Sequence, residues 1–447
     1  MTAYYIDGTL GLEANDGLSS GAPKKDWSGD IGRADGDVVN LACGTTILMT
    51  VANKATGSYT IQSYGTGAKP IVRMPQYATA HFFFNAPAKG PIVTISGIRF
   101  ERIDTGDIGA NGDNIGVFSI GGETVIVEDC EFIGKFQNAI EIGWGDNCIV
   151  RRNLIDGALN NGIFVGTTGQ TAPSYGEYSD NTIRVPNASN DPITLHDGNA
   201  GGVGNKILRN KIYSGKENCV DILNAYSGTQ VIGNYLEAGT LSGTTASGNA
   251  LITCGTPTTI KRNTLVSIRT TCLEFVSASA SGSVVDGNLC FGPYETIPSG
   301  GQIVSNTANN INVTYTNNTF IGRASSGVGA SMFQWNAATA SQVFKNNLVI
   351  KPTGDSFACM FWVGNVGPVG TLDYNHYVMP ATGTAQYCGK TFSAFKTAFS
   401  CDAHSTETTT SPIDDDGFPL ADSAILNAGV HLGPATDLAG MHRYIPP

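Results

Sequence analysis

Between residues 190 and 225 the chain gathers its densest set of groups able to move protons: Asp191, His196, Asp197, Lys216, Glu217 and Asp221. Glu274 follows further along. Two chemistries suit such a set. A pair of carboxyl groups, one protonated and one ionised, can hydrolyse a glycosidic bond. A Lys or His base, helped by a cation that neutralises a sugar carboxylate, can instead eliminate across a uronate. Asp221 poses the sharper question, because in "CVDILN" it stands between Val220 and Ile222 in the middle of an apolar run. A carboxylate is tolerable there only if the strand alternates and turns it away from the core.

The elements that would hold these residues recur along the chain. Aligning on the Asn of "RRNLI" gives Asn153, Asn181, Asn210, Asn234, Asn263, Asn288, Asn318, Asn347 and Asn375, in steps of 24 to 30 residues. Earlier turns at Gly97 and Asp129 fit less strictly. A short strand precedes each Asn, as in "CIVRR" or "TTIKR", and another follows some ten residues later, as in "AIEIGW", "GIFVGT" or "CLEFVSA". A period of this length with short strands and no amphipathic helix predicts an all-β solenoid, a right-handed parallel β-helix of about eleven coils. The LxxLxLxxN pattern of leucine-rich repeats and the Trp-Asp signal of propeller blades are both missing. Asn suits the corner because it tolerates the left-handed backbone region and its amide can bond the Asn of the next coil.

Composition agrees. Of 447 residues 41% are hydrophobic, 14% are charged and 56 are glycine, which favours many short strands joined by turns. A net charge of −11 argues against nucleic acid or an anionic membrane as partner. No apolar run is long enough to span a bilayer, and the first residues lack the basic and apolar regions of a signal peptide. The protein is therefore expected outside the cell after removal of a signal, or in a virion. Cys130, Cys148, Cys219, Cys254, Cys272, Cys290 and Cys359 stand beside apolar strand positions and read as buried thiols, while Cys388 and Cys401 lie where they could pair. No Cys/His spacing suits a structural metal. One continuous domain is expected: residues 1–90 as an N-terminal cap with the first coils, 91–378 as regular coils, and 379–447 as an irregular C-terminal capping segment. In that last segment "GKTFSAFKTAF" suits a short helix, and the tail would pack back along the coils.

The opening "YYIDGTLGLEANDGLSSGAPKKDWSGDI", the following "ADGDVVNL" and "GSYTIQSYGTGAKPIV", and the closing "FPLADSAILNAGVHLGPATDLAGMHRY" resemble pectate-lyase-like right-handed parallel β-helix proteins. That group contains polysaccharide lyases, glycoside hydrolases and phage tailspike depolymerases. The resemblance implies a polysaccharide substrate, no cofactor for hydrolysis, Ca²⁺ if the protein is a lyase, and a monomer or a homotrimer. The group's lyase Lys/Arg pair on fixed strands does not transfer onto this chain.

Alternation along the strands then assigns faces. Inward pairs are Ile140/Ile142, Ile163/Val165, Ile193/Leu195, Val220/Ile222, Leu251/Thr253 and Leu273/Phe275. The outward row between them reads Glu141, Phe164, Thr194, Asp221, Ile252, Glu274, with His196 and Cys254 two residues beyond their rows. With coils about 4.8 Å apart, Asp221 and His196 would lie roughly 8 Å apart at Cα and Asp221 and Glu274 roughly 10 Å. Candidate catalytic residues are thus Asp221, Glu217, His196, Glu274 and Lys216. Candidate sugar contacts are Glu141, Asp197, Arg209 and the rings of Trp144 and Phe164; Trp335 and Trp362 read as packing. Arg152, Arg209 and Arg262 precede the corner Asn and form a stripe that either holds an acidic glycan or offsets surface acids. Against each stands a plain reading, that outward acids are solvated surface. Hydrolysis is slightly favoured over elimination. A spike that only binds glycan is the third reading, and the Thr- and Asn-rich coils 301–365 suit it better than coils 190–225 do.

Overall fold

The computed structural model describes residues 2–27, 34–48, 53–55, 57–74, 82–84, 90–102, 116–119, 124–166, 172–185, 191–196, 202–214, 218–223, 226–238, 250–268, 271–292, 303–306, 311–322, 331–335, 341–351, 359–362, 370–379 and 387–412. Two compact units divide the chain, Met1–Gly215 and Lys216–Pro447. Each is a stack of coils, and a regular coil contributes one strand to each of three parallel sheets. In one coil of the N-terminal unit, Ile149–Arg151 lies in the first sheet, Leu154–Asp156 in the second and Asn161–Val165 in the third. Equivalent strands of successive coils pair in parallel register, Ile149 with Glu177 and Leu154 with Thr182, for example. Parallel crossover connections take a right hand, and the chain has the right-handed parallel β-helix fold.

The core is what alternation requires. Phe132, Val150, Ile155, Ile163 and Tyr178 are wholly buried in the N-terminal unit, and Ile260, Leu265, Leu273, Phe320 and Phe344 in the C-terminal one. Aromatic residues of successive coils stack, Phe100 on Phe132 at 4.8 Å between ring centres. Trp335 belongs to this core, 2% exposed and stacked on Tyr315. Cys130, Cys148, Cys219, Cys254, Cys272 and Cys290 are buried thiols, and Cys388 and Cys401 form no disulfide.

The corner between the first and second sheets differs from expectation in one detail. The residue in the left-handed region is the one before the Asn: Arg152 at φ 56°, Asp180 at 57°, Arg209 at 52°, Arg262 at 54°, Asn317 at 59° and Asn346 at 56°. The Asn itself points inward, and its amide is fully used. In the C-terminal unit Asn263 Nδ2 donates to Asn288 Oδ1 at 2.9 Å and to the Val231 carbonyl at 2.9 Å. Its Oδ1 accepts from the backbone N–H and the side-chain amide of Asn234, both at 2.9 Å. The same pattern repeats from Asn288 to Asn318, Asn347 and Asn375, and in the N-terminal unit from Asn153 to Asn181 and Asn210. Cys130 takes the Asn place one coil earlier, its N–H donating to Asn153 Oδ1 at 2.9 Å. At the far end Asn375 Nδ2 donates to Asp402 Oδ1 at 3.0 Å.

After the last coils, "FSAFKTAF" forms the expected helix, Phe392–Phe399, capped by the Thr391 hydroxyl on the Ala394 N–H. The strand Thr406–Thr408 then pairs with His376–Val378. The tail beyond residue 412, expected to pack along the coils, lies outside the described residues.

Removing one ladder amide orphans buried donors and acceptors on both neighbouring coils, each costing about 1–3 kcal/mol. Asn263→Ala should therefore lower the stability of the C-terminal unit by roughly 2–5 kcal/mol in urea denaturation. A loss below 1 kcal/mol would show that the ladder is not a major support.

Candidate active site

The third sheet of the C-terminal unit carries one continuous outward row. Asp221 is in register with Thr253, Thr253 with Glu274, Glu274 with Ser305 and Ser305 with Gln334. On either side of this row stand the inward residues Val220, Ile252 and Leu273, and Ile222, Cys254 and Phe275, all without exposed surface. This corrects the sequence expectation for one strand: Thr253, not Ile252, occupies the outward row, and Ile252 with Cys254, not Leu251 with Thr253, faces the core. The strand Ala250–Cys254 is buried along its whole length, so its sequence lacks the polar alternation that sets parity. A slip of one residue exchanges the faces.

Asp221 and Glu274 are thus two rungs apart on one face, about 10 Å between Cα atoms at the usual strand spacing. Both are only 9% exposed. Burial alone pushes the Glu274 carboxyl up to about 7 from its ordinary 4.5, and its Oε2 has no hydrogen-bond partner among the described residues. The charge of Asp221 acts on Cys254, whose thiol burial already pushes up to about 12. Between the two acids the Thr253 side chain is 3% exposed, with a buried hydroxyl that likewise lacks a partner among the described residues.

In the N-terminal unit the outward row of the third sheet holds Glu141, Phe164 and Thr194 in register. Glu141 is half-buried; burial raises its pKa, partly offset by the Asn138 amide, which donates to Oε2 at 2.8 Å. Asn161 Nδ2 donates to Asn138 Oδ1 at 3.0 Å and the Thr194 hydroxyl to Asn161 Oδ1 at 2.9 Å, so a polar chain across three coils fixes Glu141. Phe164 and Trp144 are half-buried. His196 directly follows the strand Ile193–Leu195, half-buried, its N–H on the Val165 carbonyl at 2.9 Å.

Arg209 stands elsewhere, exposed at the left-handed corner between the first and second sheets. Its guanidinium grips Asp180 through two bonds of 2.8 and 2.7 Å, which hold that carboxyl below its usual range. Arg152 does the same to Asp129. Lys216, Glu217 and Asp197 lie outside the described residues. Among the described residues no three His, Cys, Asp or Glu side chains converge as a metal cage requires. Thr253 is the member of the row that sequence reasoning missed; the signal that would have found it is the inward match of Ile252 to Val220 and Leu273.

No protein-family model matches the chain, and no curated protein is similar to it. Among solved structures it is similar to a GH136 lacto-N-biosidase from Eubacterium ramulus, at 13% identity and a TM-score of 0.47, over 78% of this chain and 68% of that one. It is also similar to the pectate lyase Pel9A, at 14% identity and a TM-score of 0.46, over 99% and 96% of the two chains. A third is the A-module of the mannuronan C-5 epimerase AlgE6 from Azotobacter vinelandii, at 10% identity and a TM-score of 0.42, over 79% and 98%. These likenesses concern the fold alone. The chain's own three parallel sheets define the class, a right-handed parallel β-helix.

The raised pKa of Glu274 couples to stability. Its folded-state pKa lies above its unfolded one, so between pH 4.5 and 7 the unfolded chain binds fewer protons than the folded chain, and stability falls as pH rises. The full effect is about 3 kcal/mol. Glu274→Gln should therefore flatten the drop in Tm of the wild-type protein between pH 5 and 8. Parallel Tm profiles for the two proteins would show that Glu274 titrates normally.

Proposed function

We propose that the protein is a glycoside hydrolase that cuts an extended polysaccharide on the outer face of its third sheet, with Asp221 and Glu274 as the catalytic pair. The observation that carries this reading is Glu274: a nearly buried carboxyl held up to about 7 by burial, two rungs along one row from a second acid. A general acid must be protonated at working pH, and desolvation is the means by which a carboxyl achieves it.

The reaction follows from these roles. Glu274 gives its proton to the bridging glycosidic oxygen, and the bond from that oxygen to the anomeric carbon breaks. Asp221 takes a proton from a water whose oxygen bonds to the anomeric carbon. Both carboxyl groups then return to their starting states by exchange with solvent. The products are two sugar chains, one with a new reducing end. A spacing of about 10 Å at Cα leaves room for water beside the sugar, and supports inversion at the anomeric carbon over a covalent intermediate.

The row repeats from coil to coil along the sheet, as a polymer repeats its sugars. In the N-terminal unit, Glu141 beside Phe164, with Trp144 three residues on, supports a sugar-binding surface in which the rings cover a pyranose face and the acid accepts from hydroxyls. A polymeric glycan of this kind is met outside the cell, and the protein is proposed to act there or on a virion. Phe164→Ala is expected to weaken oligosaccharide binding several-fold in titration calorimetry while kcat stays within about twofold. An unchanged Kd would remove Phe164 from the binding surface.

The reading is tested by incubation with neutral and uronate-containing polysaccharides, following reducing ends together with the ultraviolet absorbance of unsaturated uronates. Reducing ends without absorbance are expected, with Asp221→Asn and Glu274→Gln each losing roughly 10³-fold or more in kcat. The rate should also fall above pH 7 as Glu274 ionises. Absorbance would mean elimination instead, and would move the base role to Lys216 or His196. Binding without cleavage would mean a glycan-binding spike.

A further inference from the structure

Thr253 stands one rung, about 4.8 Å, from Asp221 on one side and from Glu274 on the other. It is 3% exposed, and its hydroxyl is buried without a hydrogen-bond partner among the described residues. A buried hydroxyl left in that state is costly unless a water or a substrate atom fills the place. Its β-branched side chain has few rotamers, so the oxygen is held in position before any ligand arrives. The neighbouring Glu274 Oε2 is buried in the same condition. Two buried polar atoms of residues in register on neighbouring strands, each without a partner among the described residues, mark a place that something polar occupies.

We propose that the Thr253 hydroxyl holds the hydrolytic water between the two acids, an inference that rests on the paired-carboxylate reading above. The water gives one hydrogen bond to Asp221 and the other to Thr253 Oγ1, which turns its lone pair toward the anomeric carbon. The Thr253 O–H then donates to the Glu274 carboxyl as that group loses its proton to the bridging oxygen. The water oxygen bonds to carbon, its proton passes to Asp221, and the broken C–O bond leaves its electron pair on the departing, now protonated, oxygen. Thr253 exchanges no proton. It is a positioning residue for the attacking water.

Valine matches threonine in shape and lacks the hydroxyl, whereas serine keeps the hydroxyl and lacks the methyl. On a polysaccharide that the wild-type protein cleaves, Thr253→Val is expected to lower kcat roughly 10²-fold, with KM within about twofold. Thr253→Ser is expected to recover most of the rate. Thr253→Ala serves as a second hydroxyl-free variant, and Tm identifies any variant that fails to fold. Thr253→Val and Thr253→Ala with kcat near wild type, while Glu274→Gln is inactive, would overturn the inference and leave the carboxylate pair standing. A loss confined to KM, or no recovery in Thr253→Ser, would overturn it as well. Full activity in Glu274→Gln, or no cleavage of any polysaccharide, would overturn the reading itself and the inference with it.

Discussion

A buried amide must satisfy two donors and an acceptor, and here each corner Asn does so only if the next coil stands in one register. Asn263 takes hydrogen bonds from the coil before it and gives one to the coil after it, while its second N–H reaches a main-chain carbonyl of the coil before. The left-handed residue ahead of each Asn turns the chain so that the amide can point inward. Everything else in the coils inherits this alignment. Strands leave the corner at a fixed height, so the rows on the second and third sheets repeat from coil to coil. The five-residue row from Asp221 to Gln334 is one such inheritance.

A row of this kind gives the fold unusual control over two acids. Their separation is set by the number of rungs between them, and burial raises the Glu274 carboxyl toward its protonated form. Asp221 and Glu274 share a face and a degree of burial. The tight bidentate grip of Arg209 on Asp180, at the opposite extreme, shows a carboxylate kept ionised by a partner. One chain therefore contains acids steered in both directions, by desolvation on the third sheet and by ion pairing at the corner.

Much of this could be read in the sequence because the solenoid writes its period into the chain. The spacing of nine Asn residues located the coils, and apolar alternation placed Asp221 and Glu274 on an outward face. The same reasoning failed at "ALITC", where every residue is buried and both parities are small or apolar. It therefore put Ile252 where Thr253 stands and hid the hydroxyl between the acids. It also assigned the left-handed backbone to the ladder Asn itself, because Asn is the residue that tolerates it best; the structure gives that conformation to the residue before it, whether Arg, Asp, Gly, Tyr or a second Asn, and keeps the ladder Asn for its amide. Arg209 shows a further limit: an acid 29 residues away in sequence, Asp180, is its direct partner in space on the preceding coil.

The ladder has a direction. Each side-chain amide from Asn263 to Asn375 presents one N–H to the following coil and its oxygen to the preceding one. Their dipoles add along the stack, as peptide dipoles add along a helix, and the positive pole emerges at the last amide. Asp402 sits at that pole, accepting from Asn375, Tyr377 and Ser405 with no exposed surface. An asparagine there would bring two more donors in need of acceptors, whereas a carboxylate only receives. A single change of amide to acid thus closes the column electrically at Asp402.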